Sequence, residues 1–127
     1  MIDNKKFSWR KRAKSFVYAF AGIKMLLKNE HNAWIHSAIA VCVIICGFLF
    51  NLSSYEWIHI IICIGIVLMA EAFNTAIETL ADKVNPEQDP IIKKTKDVAA
   101  GAVLLVSLMA IAVGLIIFIP KFFDLFV

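Results

Sequence analysis

Between residues 98 and 119 the chain carries no charged side chain at all. Two further apolar blocks precede it, 33–52 and 57–70. About 20 apolar residues cross a bilayer core of about 30 Å as a helix, given some tilt. Backbone groups in lipid must find partners inside their own segment, which favours helices for such blocks. The 127 residues are 61% hydrophobic, where a soluble domain is closer to half apolar. The expected fold is therefore all-α and integral to a membrane. It has one domain, 1–127, with three spans at 33–52, 57–80 and 98–119, and Pro120 is expected to stop the last. A soluble helical bundle is the weaker alternative. The first apolar block begins only after residue 32, unlike a cleavable signal peptide.

Ahead of the spans, residues 5–30 read as an amphipathic surface helix. Trp9, Ala13, Phe16, Phe20, Ile23 and Leu27 recur at helical spacing. Lys5, Lys6, Arg10, Lys11, Arg12, Lys14, Lys24 and Lys28 fill much of the remaining surface. Basic residues with aromatic anchors suit an anionic membrane surface, and they also set topology. Nucleic acid is not an expected partner, because the basic residues border spanning segments. Residues 29–32 read as a polar hinge, 51–56 as a short turn, and 82–97 as a polar loop broken by Pro86 and Pro90.

Eight of the 13 Lys and Arg precede residue 29, four lie in 82–97, and only Lys121 remains. Positive charge favours the cytoplasmic side. The N-terminus and the 82–97 loop are therefore expected in the cytoplasm. Cys42, Cys46 and Cys63 lie in apolar blocks without ligand spacing and read as packing residues.

The second span does not stay apolar. Residues 71–82 read E-A-F-N-T-A-I-E-T-L-A-D. At about 100° per residue, Glu71, Asn74, Thr75, Glu78 and Asp82 form one stripe along the helix. A carboxylate in hydrocarbon costs about 2.5–3.5 kcal/mol on insertion scales, so a retained pair points to function. If Trp57 marks the outer interface, Glu71 lies about 21 Å deeper and Glu78 about 10 Å deeper again. The stripe then meets both lipid headgroups and cytoplasmic solutes. Two carboxylates in a three-helix chain also suggest an oligomer that shields them, and Ala72 with Ala76 and Ala110 with Gly114 allow close helix packing.

The acidic groups near that interface are Glu30, Glu71, Glu78, Asp82 and Asp97, and the bases are Lys93, Lys94 and Lys96. Carboxylate oxygens suit Mg²⁺ beside phosphate, and Lys96 can contact phosphate as a point charge. A poorly solvated carboxylate is a capable base for a hydroxyl. These are the parts of phosphoryl transfer, although the chain has no G-x-x-x-x-G-K-[ST] or G-x-G-x-x-G. The bland readings remain beside these: a structural or ion-pathway pair for Glu71 and Glu78, a helix start for Lys96–Asp97, an interfacial residue for His36, and a membrane anchor for Tyr18. A proton pathway would need polar groups in both leaflets, and the outer halves of the spans offer only His59.

The stripe, followed by K-T-K-D-V-A-A-G-A-V, resembles the small bacterial membrane diacylglycerol kinase and undecaprenol kinase family, whose pattern is E-x-x-N-[ST]-A-I-E-x-x-x-D and then A-K-D-x-x-x-A-A-V. Glu71, Asn74, Thr75, Ala76, Ile77, Glu78, Asp82, Lys96, Asp97, Ala102 and Val103 match it, while Thr95 and Gly101 stand where Ala is usual. The resemblance implies an ATP-dependent kinase acting on a membrane lipid alcohol, in a homotrimer. It makes Glu71 the catalytic base and Glu30 and Glu78 the carboxylates for Mg²⁺. Lys11 (with Arg10 and Arg12 as neighbours), Tyr18, Asn74, Glu87, Lys96 and Asp97 become nucleotide contacts, and Glu71, Asn74 and His36 line the lipid site. His36, Glu56–Trp57 and the G-L-I-I-F-I-P-K segment resemble the undecaprenol branch. Diacylglycerol is the alternative substrate.

Overall fold

The computed structural model describes residues 6–87 and 89–127. The described residues form four helices and no strand: α1 Trp9–Asn29, α2 His31–Leu49, α3 Ser54–Val84 and α4 Pro90–Asp124. Helices α2, α3 and α4 are each long and apolar enough to cross a membrane, and the protein is an all-α membrane protein with an amphipathic helix in front.

Helix α1 begins at Trp9, later than the sequence suggests, and residue 5 lies outside the described residues. Of its side chains only Leu26 is buried. Trp9, Phe16 and Phe20 all project outward from the other helices. An apolar face this exposed suits a helix lying in a membrane interface.

The expected hinge at 29–32 contracts to one residue. Glu30 adopts an extended conformation (φ −106°, ψ 114°) between α1 and α2. Its N–H donates to Leu26 O, and its own carbonyl accepts from Trp34 N at 3.2 Å. The chain turns a corner there without losing either helix's terminal hydrogen bond. The Trp34 indole donates back to Leu27 O and ties the two helices at this corner.

The 51–56 turn is also shorter, with only residues 50–53 outside helices. Asn51 takes a left-handed conformation (φ 54°). Leu52 N–H donates to Gly47 O at 3.1 Å, and Asn51 N–H points at Phe48 O at 3.5 Å. This is a Schellman closure of α2, with Asn replacing the usual Gly. Ser53 then caps α3 in a reciprocal box with Glu56. Gly47 is buried where α2 meets α3, and a Cβ there would stand 2.6 Å from the Trp57 ring.

The polar loop expected over 82–97 contains far more helix than loop. α3 continues to Val84, α4 begins at Pro90, and the intervening chain is 85–89. Pro90 starts a helix because a first-turn N–H has no intrahelical acceptor to lose. The Asp89 carboxylate caps α4 by accepting from Ile91 N at 2.7 Å. Pro120 does not stop α4 either; the helix runs through it to Asp124. A proline removes one N–H donor and crowds one carbonyl a turn earlier. So close to the helix end, that loss is confined to a single turn.

Helices α3 and α4 pack along each other more extensively than any other pair. An ion pair marks each end of this hairpin. Lys96 meets Asp82 near the connection, and Lys121 Nζ lies 3.2 Å from Glu56 Oε1 at the far end. α2 packs more lightly against α3. A cleft of about 400 Å³ opens among α2, α3 and α4, lined by His36, Val67, Ser107 and Phe118 among others.

Candidate active site

The polar stripe continues the packing face of α3. The buried residues of this helix are Ile60, Cys63, Val67, Glu71, Asn74 and Ala81, spaced mainly by three or four. That is one face of an α-helix. It begins apolar near the 50–53 turn and becomes polar toward the α3–α4 connection. The stripe therefore points into the protein. Glu71 is 2% exposed and Asn74 8%.

Burying a carboxylate without a partner is costly, and Glu71 has one. His36 from α2 places Nε2 3.2 Å from Glu71 Oε1, with its side chain 21% exposed. His36 reaches it because Ala33, one turn earlier on α2, is fully buried and allows close approach at this end. One turn past Glu71, Asn74 Nδ2 donates to Glu78 Oε1 at 3.4 Å, a long contact. Asn74 Oδ1 is buried with no partner among the described residues. Glu78 and Glu30 are both half-buried, and the charges of both are felt at Glu71. The structure thus gathers Glu30, His36, Glu71, Asn74 and Glu78 at one place, from the α1–α2 corner, α2 and α3.

The other expected site residues stand apart from that group. Lys96 is paired with Asp82, and Lys93 Nζ lies 2.6 Å from Asp97 Oδ2. Tyr18, Lys11, Arg10 and Arg12 are exposed along α1. Glu87 is exposed in the α3–α4 connection, its N–H donating to Asn85 Oδ1 at 3.0 Å. One sequence argument changes here. Glu71 is shielded within a single chain, so its burial needs no neighbouring subunit.

Among the described residues no three His, Cys, Asp or Glu side chains stand together as a metal site. Glu30 and Glu78 can therefore supply two hard carboxylate ligands at most. That donor set fits Mg²⁺, which keeps water and takes phosphate oxygens beside one or two carboxylates. The unpartnered Asn74 Oδ1 adds a polar atom open to a ligand or to water. Ser107 was not foreseen. Its hydroxyl is buried without a partner among the described residues, and it is the one hydroxyl-bearing residue in 98–119, which was the available signal. Taken together, a buried carboxylate with a basic partner, next to two half-buried carboxylates, can accept a proton beside a bound phosphate–metal group.

Residues 17–118 match the family described as prokaryotic diacylglycerol kinase. The undecaprenol kinase of Bacillus subtilis is 44% identical over 85% of this chain and 88% of its own length. A diacylglycerol kinase of Synechocystis is 33% identical over 89% of this chain and 65% of its own length. One from Haemophilus influenzae is 28% identical over 69% of this chain and 75% of its own length.

Proposed function

This chain belongs to the prokaryotic diacylglycerol kinase family and is a membrane lipid kinase, and from that premise we propose that it transfers the γ-phosphate of ATP to the primary alcohol of undecaprenol. The observation that carries the chemistry is the burial of Glu71 against His36 on the inward face of a membrane-length helix. A proton acceptor at that depth meets a lipid alcohol, while ATP reaches the same stripe from water through Glu78. Undecaprenol is favoured over diacylglycerol by the 44% identity to a relative of that name and by His36. The relatives named diacylglycerol kinase keep that lipid as the alternative.

In the step we propose, the alcohol O–H bond breaks and its proton passes to the Glu71 carboxylate. The alcohol oxygen forms a bond to the γ-phosphorus, and the bond from that phosphorus to the bridging oxygen breaks, so ADP leaves with the electron pair. Glu30 and Glu78 would hold Mg²⁺, which supplies positive charge against the phosphates when bound. Asn74 orients the group being transferred. Lys96, Asp97, Tyr18, Glu87 and a basic residue of α1, Lys11 first, contact the nucleotide. Both substrates meet at the cytoplasmic interface of a bacterial inner membrane, with α1 and the α3–α4 connection on the cytoplasmic side, in accord with the charge distribution. The working unit is a homotrimer, a reading that rests on the family resemblance.

The test is a paired assay of labelled phosphate transfer from ATP to undecaprenol and to diacylglycerol in one detergent mixture. Faster transfer to undecaprenol is expected, and Glu71→Gln should abolish transfer to either while Mg-ATP still binds. Full activity of Glu71→Gln would remove this carboxylate from the chemistry. A proton leak without phosphate transfer would revive the pathway alternative.

A further inference from the structure

Among the described residues Glu71 has a single basic group in contact, and that group shapes what the carboxylate can do. His36 Nε2 lies 3.2 Å from Oε1. Of the lysines at the α3–α4 end, Lys96 pairs with Asp82 and Lys93 with Asp97, and among the described residues neither Lys83 nor Lys94 forms an ion pair with Glu71. α4 carries no charge between Asp97 and Lys121. A carboxylate 2% exposed needs a donor to remain an anion.

We propose that His36 is a positioning residue for Glu71, its Nε2–H donating to Oε1 so that the carboxylate stays ionised with Oε2 turned to the lipid alcohol. This deepens the kinase reading and rests on it: His36 acts on the base rather than gripping the lipid. In the transfer step the alcohol proton goes to Glu71, and His36 keeps its own proton throughout. His36 also lines the cleft among α2, α3 and α4, so it stands where a lipid chain lying there would bring its hydroxyl to the base.

The experiment compares His36→Ala and His36→Gln in the full-length protein in lipid nanodiscs, with ATP, Mg²⁺ and undecaprenol. Loss of a charge-assisted donor should lower kcat of His36→Ala by about 10- to 100-fold, with the KM values for lipid and ATP little changed. The Gln side chain places an amide N–H where Nε2 was, so His36→Gln should recover most of that loss. Infrared difference spectra against Glu71→Gln give a readout without turnover. Residue 71 should be a carboxylate in the wild type and a carboxylic acid in His36→Ala at neutral pH. The proposal is overturned if His36→Ala raises only the lipid KM, if His36→Gln is as slow as His36→Ala while melting like the wild type, or if residue 71 is ionised equally in wild type and His36→Ala. Absence of transfer to any lipid alcohol by the wild type would sink the kinase reading instead, and the infrared comparison would still decide the role of His36.

Discussion

Lys96 on α4 forms an ion pair with Asp82 on α3 across the short α3–α4 connection. Both residues belong to the motif that resembles the kinase family, and Lys96 is proposed to contact the nucleotide. The Lys96 side chain is 35% exposed and that of Asp82 60%, so the pair itself is worth at most about 1 kcal/mol. Its consequence is to hold the ammonium beside the stripe before a nucleotide arrives. Lys96→Ala should raise the KM for ATP by about tenfold, the size of one lost charge-assisted contact, with little change in melting temperature. The charge-swapped pair Asp82→Lys with Lys96→Asp should recover any lost stability and leave the KM high. Recovery of the KM by the swap would show that the ion pair, rather than a phosphate contact, is what counts.

Glu30 and Glu78 are the proposed Mg²⁺ ligands. Replacing either with Gln removes one of two hard anionic ligands, and the Mg²⁺ concentration for half-maximal activity should rise by about 10- to 100-fold. Excess Mg²⁺ should restore part of the rate in both variants and none in Glu71→Gln. A Mg²⁺ titration of all three separates metal ligation from proton transfer, and an unshifted curve for Glu78→Gln would take it out of the metal site.

Gly47 is where α2 and α3 approach most closely near the 50–53 turn. A side chain there collides with the Trp57 ring, at 2.6 Å for the first carbon, and comes within 3.0 Å of Leu52. Gly47→Val should destabilise the protein by about 1–3 kcal/mol through overpacking. Unfolding in detergent measures it, and wild-type stability would mean that Trp57 can swing aside without cost.

Asn51 closes α2 in a left-handed conformation (φ 54°). Asn51→Gly should be tolerated or slightly stabilising, since Gly adopts this conformation freely. Asn51→Val should cost about 1–2 kcal/mol. The two melting temperatures should therefore move apart, and equal shifts would argue that the turn adopts another conformation in the membrane.

Much of the candidate site was legible in residues 71–82. The stripe stands out because the surrounding helix is apolar, and its spacing is that of one helix face. Its direction was not legible: apolar residues surround this helix on every face, and only the packing against α2 and α4 shows that the stripe continues the buried face of Ile60, Cys63 and Val67. Helix ends were less legible, and proline misled in two places. Pro90 begins α4 under an Asp89 cap, and Pro120 lies inside the same helix. A proline's effect depends on its place in the hydrogen-bond ladder, and that place is set by where the helix starts.

By itself the sequence determined that this protein is helical, that three helices are long enough for a membrane, and that one of them carries a polar face. These properties depend on neighbours within a few turns, and local spacing encodes them. Only the tertiary structure decided which polar groups meet. His36 reaches Glu71, Lys96 reaches Asp82, and Lys121 reaches Glu56, all between different helices. Such contacts depend on how closely the helices approach, as with the buried Ala33 and Gly47, and on one-residue corners such as Glu30. A shift of one residue in helix register would turn each of those side chains by about 100° and separate the pairs, which is why pattern reading along a single helix could not place them.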